Sequence, residues 1–469
     1  MTRPRSQARG FERAPAFLSE LLNTLTERGR ALLGGRFGTA GVAPMSQTEL
    51  IELGEALLSR RGEATGVALA QTLLAGYTSA ATPDRIAFLK ALADRFGPER
   101  ERIEQAIAHL QASDFDAGAV KAVHDAAEPR RQELFRRLNL APGGTAALLR
   151  MREALLANAS DNPQFKLVDS DFVHLFASWF NRGFLVLRRI DWTTPANILE
   201  KIIRYEAVHA IENWDDLRNR LAPADRRCYG FFHPQLVDEP LIFVEVALTK
   251  DIPGAIAPLL DLARTPIAAT EATTAVFYSI SNTQKGLGGI SFGNFLIKQV
   301  VEELKRELPN LQTFVTLSPV PEFANWLAGE RAAETPAFLN TAAKETLKLL
   351  DQPGWQDNAE AAEKLQAVLL PAAAYYFLQA RNARGRQIDP VARFHLGNGA
   401  RLERLDFLGD RSLKGLQQSH GLMVNYLYAL DEIEANHEAF AEKGSVAAAP
   451  AIRKLLRTGL PSTETAPAA

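Results

Sequence analysis

One stretch limits the fold more than any other. An apolar run, Ala275–Ile280 (AVFYSI), leads into a glycine-rich segment, Thr283–Asn294 (TQKGLGGISFGN). Ile297, Val300, Val301 and Leu304 follow at helical spacing, and then comes Thr313–Leu317 (TFVTL). Short apolar runs bounded by turn residues predict buried strands, whereas apolar positions three and four apart predict one face of a helix. Strand, glycine loop, helix, strand is the order of a β-α-β unit. Leu241–Leu248 (LIFVEVAL), bounded by Pro240 and by Asp251 to Gly254, predicts a further buried strand.

The chain before this unit has another character. From about Pro44 to Asn158 it predicts consecutive short helices. Ser46-Gln47-Thr48-Glu49 has the form of a capping box, with Leu50, Leu53 and Leu57 behind it at helical spacing. Pro83 opens a helix, Gly97-Pro98 separates it from the next, and there Ile103, Ile107 and Leu110 form a stripe. Phe135 and Leu138 belong to a further helix, and Pro142-Gly143-Gly144 leads into the last. No polar cluster suited to chemistry occurs in this region, which points to packing or oligomer contacts. After Asn158 aromatics crowd in at Phe165, Phe172, Phe176, Trp179, Phe180 and Phe184, and strand-like runs begin. Asn398-Gly399, between Phe394-His395-Leu396 and Leu402, Leu405 and Phe407, predicts a β-hairpin.

A chain of 469 residues has room for two or three compact units. The expected division is a flexible segment at 1–43, a helical bundle at 44–160, a mixed α/β domain at 161–460 and a disordered tail at 461–469. Fifty-three Lys and Arg against fifty-five Asp and Glu leave a net charge of −2, so the chain as a whole has no electrostatic pull toward nucleic acid or anionic lipid. No apolar run approaches the roughly 18 residues of a membrane span. Cys228 is the one cysteine, which excludes an intrachain disulfide, and the scattered histidines with no His-Glu-x-x-His motif give no reason to expect a metal site. These features suit a soluble protein of a reducing compartment. Arg3, Arg5, Arg9 and Arg13, with no acid before Glu12, fit either a basic tail on a bacterial cytoplasmic protein or a mitochondrial transit peptide.

Glycines let backbone N–H groups approach an anion, and a helix that follows them turns its positive end to the same place. The segment is not a Walker A loop, and it fails the dinucleotide fingerprint because Ser291 stands where a third glycine belongs. It is similar to the pyrophosphate loop of the GCN5-related acyltransferase fold, which takes the phosphates of coenzyme A. Gly286 and Gly288 match that loop's glycines, while Thr283 replaces its first Gln or Arg. Ser318 follows a predicted strand directly, at the end where α/β sheets gather ligands, although a lone Ser-Pro is commonly a turn. His395 lies in an apolar run, where a histidine is commonly a hydrogen-bonded core residue.

Taken together these stretches carry a resemblance. Phe277–Lys298 (FYSISNTQKGLGGISFGNFLIK) resembles the core of malonyl-CoA decarboxylases. Leu317–Phe323 (LSPVPEF), Phe394–Gly399 (FHLGNG), Gly421–Tyr428 (GLMVNYLY), Glu239–Thr249 (EPLIFVEVALT) and Arg227-Cys228-Tyr229 echo the same family in the same order. The likeness is dense from about Pro163 to Tyr428 and thinner over the helical region. It implies a helical N-terminal domain followed by an acetyltransferase-like α/β domain. It implies conversion of malonyl-CoA to acetyl-CoA and CO2 through a thioester enolate, with no metal or organic cofactor, by a homo-oligomer, possibly a tetramer in this chain as in relatives. The family's catalytic serine falls on Ser318 and its catalytic histidine on His395, which at its ordinary pKa near 6.5 could carry a proton at neutral pH and deliver it to the carbanion. Its coenzyme A loop falls on Gly288, Gly289, Ile290, Ser291, Phe292, Gly293 and Asn294, and a tyrosine lining the site falls on Tyr428. Animal members carry an acidic residue where this chain has Ser291. Two other readings stay open on sequence: an acyl-CoA N-acyltransferase, and an inactive malonyl-CoA-binding sensor.

Overall fold

A computed structural model describes residues 44–59, 62–290, 295–458 and 460, so the expected segments 1–43 and 461–469 lie outside the described residues. The chain divides into two units, one made of Met1–Val186, His233–Val237 and Gln284–Ser291, the other of Leu187–Phe232, Asp238–Thr283 and Phe292–Ala469.

The first unit is built on α1 (Gln47–Leu58), α2 (Glu63–Ser79), α3 (Thr82–Asp94), α4 (Arg100–Ala112), α5 (Ala117–Ala127), α6 (Arg130–Asn139), α7 (Gly144–Ala157) and α8 (Phe165–Trp179). The Ser46 capping box forms as expected: Ser46 Oγ accepts the Glu49 N–H and Glu49 Oε2 accepts the Ser46 N–H. Leu50, Leu53 and Leu57 point inward, and Pro83 sits in the first turn of α3, where its missing N–H costs nothing. Two details differ from expectation. The stripe on α4 is not core, since Ile107 is exposed and Ala106 is the buried residue. The unit also continues to Val186 rather than ending at 160. The aromatic segment is the reason: α8 packs on α3, α6 and α7, burying Phe165, Phe172 and Phe176, with Phe172 stacked on Phe135 at 4.2 Å.

The second unit is a mixed sheet with helices. Its strands are β1 (Val186–Ile190), β2 (Arg226–Phe232), β3 (Pro240–Thr249), β4 (Thr274–Asn282), β5 (Thr313–Thr316), β6 (Ser318–Pro319), β7 (Arg401–Asp406) and β8 (Met423–Leu427). They run in the order β1-β2-β3-β4-β5-β8-β6, with β7 on β8. The helices are α9 (Ala196–Tyr205), α10 (Trp214–Leu221), α11 (Ala257–Leu260), α12 (Phe295–Glu307), α13 (Phe323–Ala332) and α14 (Thr341–Leu347). After them come α15 (Ala359–Leu378), α16 (Pro390–Gly397), α17 (Leu413–Ser419), α18 (Ile433–Lys443) and α19 (Pro450–Thr458). The β-α-β unit is present as β4-α12-β5: the strands are parallel, and Ile297, Val300, Val301 and Leu304 are buried. A helical region followed by a mixed α/β domain is thus the architecture observed.

The parallel pairing ends at Phe277 and Thr316, while β4 continues to Asn282 against β3 alone. β5 turns instead toward β8, and β6 pairs with β8 through Ser318 and Val424.

The hairpin expected around Asn398-Gly399 does not form. Phe394-His395-Leu396 is the end of α16, and β7 pairs with β8. Asp389 caps α16 and Pro390 occupies its first position, a start signal that outweighs the Asn-Gly pair. Gly399 serves the helix exit instead. Its φ is +80°, and a Cβ there would lie 2.1 Å from the Ile433 carbonyl oxygen, so only glycine fits.

Candidate active site

Ser318 and Thr316 sit two apart in one extended segment, which points both side chains to the same face. The β8 strand runs opposite them, and the Tyr428 N–H donates to the Phe314 carbonyl at 2.8 Å. His395 comes from the last turn of α16. The Asp389 carboxylate orients that helix, with Oδ1 accepting the N–H groups of Val391 and Ala392 at 2.9 Å each. Burial lifts the Asp389 carboxyl to about 6.

These elements bring three of the sequence-predicted residues together. Ser318 Oγ lies 3.2 Å from His395 Nε2, and the Tyr428 hydroxyl lies 2.8 Å from His395 Nδ1. Ser318, His395 and Tyr428 are 5%, 3% and 2% exposed, so the chain of hydrogen bonds is screened from water. Tyr426 stacks on the imidazole with ring centroids 4.7 Å apart. Burial pushes the His395 imidazole down to about 3 and the Tyr428 hydroxyl well above its usual 10. The ring is therefore neutral at pH 7 in this site, which corrects the expectation of a histidine protonated at neutral pH. A neutral imidazole offers one donor and one acceptor, and here both nitrogens face hydroxyl groups.

Three contributors escaped the sequence reading: Thr316, Tyr426 and Asp389. Thr316 Oγ1 lies 2.8 Å from Ser318 Oγ, and Tyr426 supplies the stacking ring. Strand periodicity was the available signal for Thr316, two residues before Ser318. For Asp389, it was the Asp-Pro pair that starts a helix.

The glycine segment falls in the first unit as far as Ser291. Its Lys285–Leu287 turn packs on α7, and a Cβ on Gly286 would lie 2.3 Å from the Leu149 carbonyl oxygen. Arg152 Nη1 donates to the Gly286 carbonyl at 2.7 Å, and Arg152 Nε donates to Asp169 at 2.8 Å. Gly286 is small because a helix lies against it, a packing reason that stands beside its reading as a loop glycine. Gly288 and Gly289 are exposed, Gly289 has a φ of +77°, and Ile290 is buried. Ser291, Phe292, Gly293 and Asn294 lie outside the described residues. Thr283, where the acyltransferase loop carries Gln or Arg, is buried, and its hydroxyl donates to the Leu241 carbonyl at 3.2 Å. Among the described residues no group of three or more His, Cys, Asp or Glu could hold a metal ion, and no helix is long and apolar enough to cross a membrane.

Comparison with known proteins decides the family. The model of the malonyl-CoA decarboxylase C-terminal domain matches residues 183–466, and that of the N-terminal domain matches 96–180. The chain belongs to the malonyl-CoA decarboxylase family. The two matches meet just after α8, close to the end of the helical unit at Val186. The mitochondrial malonyl-CoA decarboxylase of Anser anser anser is 37% identical over 387 residues, covering 76% of each chain. That of Rattus norvegicus is 34% identical over 405 residues, covering 79% of this chain and 82% of the relative. The crystal structure of malonyl-CoA decarboxylase from Rhodopseudomonas palustris is 69% identical with a TM-score of 0.85, covering 88% of this chain and 100% of that one. The corresponding structure from Agrobacterium vitis is 58% identical with a TM-score of 0.84, covering 87% and 99%.

Proposed function

We propose that this chain is a carboxy-lyase that converts malonyl-CoA to acetyl-CoA and CO2. The observation that carries the reading is the buried Ser318–His395 hydrogen bond, in a chain of this family, at the strand end where β5 leaves β4. Malonyl-CoA is a β-carboxy thioester, so its own carbonyl accepts the electron pair when the bond to the carboxylate breaks. The products are CO2 and a thioester enolate, and the enolate carbon then takes one proton. No metal or organic cofactor is required for that electron flow.

Ser318 is the donor at the reacting centre. Its hydroxyl hydrogen-bonds the thioester oxygen as charge develops and then supplies the proton to carbon, since a thioester enolate carbon is a stronger base than a serine alkoxide. Neutral His395 supports both steps by donating Nε2–H to Ser318 Oγ, and solvent restores the proton consumed. Tyr428 holds the ring through Nδ1. Prepositioned donors of this kind are worth roughly 10²–10³ in rate each. Coenzyme A is assigned to the glycine segment, through Gly288, Gly289 and Ile290 and the adjoining Ser291, Phe292, Gly293 and Asn294.

Self-association belongs to the same proposal, as a homo-oligomer that could reach a tetramer. Ile107, Phe115 and Val120 are exposed on or beside α4 and α5 and supply apolar surface to cover, and light scattering on the full chain reads the outcome. A cytoplasmic location is proposed with it.

The deciding assay supplies malonyl-CoA to the purified protein without an acyl acceptor. Stoichiometric CO2 and acetyl-CoA are expected, and Ser318→Ala should suppress both. Binding without CO2 release would leave the sensor reading, and acyl transfer that needs an added amine would leave the transferase reading.

A further inference from the structure

We infer that Thr316 is a positioning residue that sets the direction of the hydrogen-bond chain through Ser318 and His395. The consequence for rate rests on the decarboxylase reading; the consequence for the histidine tautomer does not.

Thr316 is fully buried. The strand register pairs Val315 with Leu427 and Ser318 with Val424, which puts Tyr426 opposite Thr316. At that rung the usual backbone bond is replaced. The Thr316 carbonyl accepts Asn425 Nδ2 at 2.8 Å, and the Tyr426 N–H donates to the Thr316 hydroxyl at 3.2 Å. A backbone N–H can only donate, so it occupies one lone pair of Thr316 Oγ1 and fixes the side-chain rotamer. Tyr426 therefore touches both ends of the arrangement, with its N–H on Thr316 and its ring on His395.

The Ser318 hydroxyl has one proton and, among the described residues, two neighbouring acceptors, Thr316 Oγ1 at 2.8 Å and His395 Nε2 at 3.2 Å. The shorter contact takes the proton. Ser318 Oγ is then an acceptor toward His395, so the ring proton sits on Nε2 and Nδ1 accepts from the Tyr428 hydroxyl at 2.8 Å. The chain runs one way, from Tyr428 through His395 and Ser318 to Thr316. A base arriving at Ser318 takes over the proton that Thr316 held, while Nε2–H stays on Oγ to support the oxygen left behind. Without the Thr316 hydroxyl, the remaining acceptor for Ser318 among the described residues is Nε2. The tautomer then inverts to Nδ1–H, and the ring can no longer donate to serine.

The test uses full-length protein labelled with 15N-histidine, with the His395 signal assigned by its absence in His395→Gln. The wild type should show the Nε2–H tautomer, Thr316→Val the Nδ1–H tautomer, and Thr316→Ser the wild-type pattern. In the decarboxylation assay Thr316→Val should lower kcat at least about tenfold with KM within about twofold, and Thr316→Ser should restore most of the loss. In a Ser318→Ala background Thr316→Val should cost nothing further, because its partner is gone. Should Thr316→Val not fold, Tyr428→Phe serves: the Nε2–H form persists if Thr316 sets the tautomer, and inverts if Tyr428 does. An unchanged tautomer in Thr316→Val, an impaired Thr316→Ser, or an equal loss in the Ser318→Ala background would each overturn the inference. A wild-type protein that releases no CO2 would defeat the decarboxylase reading and leave the tautomer measurement to decide the role of Thr316.

Discussion

His395 Nε2 and Ser318 Oγ stand 3.2 Å apart although 77 residues separate them, and among the described residues no carboxylate bonds either ring nitrogen. The dyad thus differs from a Ser-His-Asp triad in its second contact, which is the neutral Tyr428 hydroxyl. A carboxylate at Nδ1 would favour imidazolium; a tyrosine in a dry site favours neutral imidazole. That difference sets the expected behaviour of the enzyme.

Ser318→Ala and His395→Gln should each lower kcat by roughly 10²–10³, as expected when a donor aimed at developing charge is removed. KM should stay within about threefold, because neither side chain is assigned to coenzyme A. Steady-state kinetics with CO2 detection checks both values. A pure KM effect would make Ser318 a binding residue only.

The pH dependence follows from the depressed His395 pKa of about 3. An unfolded histidine titrates near 6.5, so between about 3 and 6.5 the unfolded chain binds more protons at this site than the folded one. The contribution of His395 to stability is therefore complete above pH 6.5 and lost as pH falls toward 3. His209 and His420, pushed by burial to about 4, act in the same sense. Replacing His395 by Gln should remove about 2 kcal/mol of the loss seen between pH 7 and pH 5, read by denaturant unfolding at both pH values. The same neutral ring predicts no inflection near 6.5 in kcat/KM from His395. A fall in kcat/KM centred at 6.5 and absent from His395→Gln would show that the charged ring is the working form.

Much of this was legible in the sequence, and the exceptions share a cause. The β4-α12-β5 unit and the α1 capping box depend on local patterning, so they could be placed from residue order. Ser318 and His395 came from a resemblance rather than from spacing, because a serine after a strand and a histidine in an apolar run have bland readings. Thr316 and Tyr426 were illegible because their roles depend on β5 meeting β8, a pairing across 110 residues with no local signal. The hairpin error arose from weighing Asn398-Gly399 above Asp389-Pro390, two local signals of which only one could be satisfied. The packing role of Gly286 was illegible because a glycine needed for close helix packing looks the same in sequence as one needed for an anion.

Gly399→Ala tests the helix exit that carries His395. A left-handed φ costs a non-glycine residue roughly 1–2 kcal/mol. The 2.1 Å approach to the Ile433 carbonyl adds an overlap that backbone must yield to, typically another 1–3 kcal/mol. A fall in thermal midpoint together with a fall in kcat is expected. Gly354→Ala, also at positive φ but with open space around its Cβ position, should cost less in stability and nothing in rate.

Prolonged dialysis against a strong chelator should leave kcat unchanged, since the thioester carbonyl is the electron sink. Elemental analysis of the dialysed protein alongside the assay makes the result decisive. Activity lost on chelation and restored by one divalent ion would require a different account of the enolate.

Asp389 offers the sharpest separation between folding and positioning. Its Oδ1 caps α16, and an Ala there should cost about 0.5–2 kcal/mol through the lost cap. Asn retains an Oδ1 acceptor and should keep most of that stability. The carboxylate also lies buried with a proton affinity lifted to about 6, six residues before His395 and on the same helix. If Asp389 acts only as a cap, Asp389→Asn should match the wild type in both thermal midpoint and kcat, and Asp389→Ala should lose both. If its charge also tunes His395, Asp389→Asn should keep the midpoint yet shift the pH profile of kcat. The hydrogen bonds favour the first outcome, because among the described residues the Asp389 carboxylate accepts from the Val391, Ala392 and Glu322 N–H groups and from the Tyr376 hydroxyl, and not from the imidazole, and melting curves beside pH–rate profiles for the two variants distinguish it from the second.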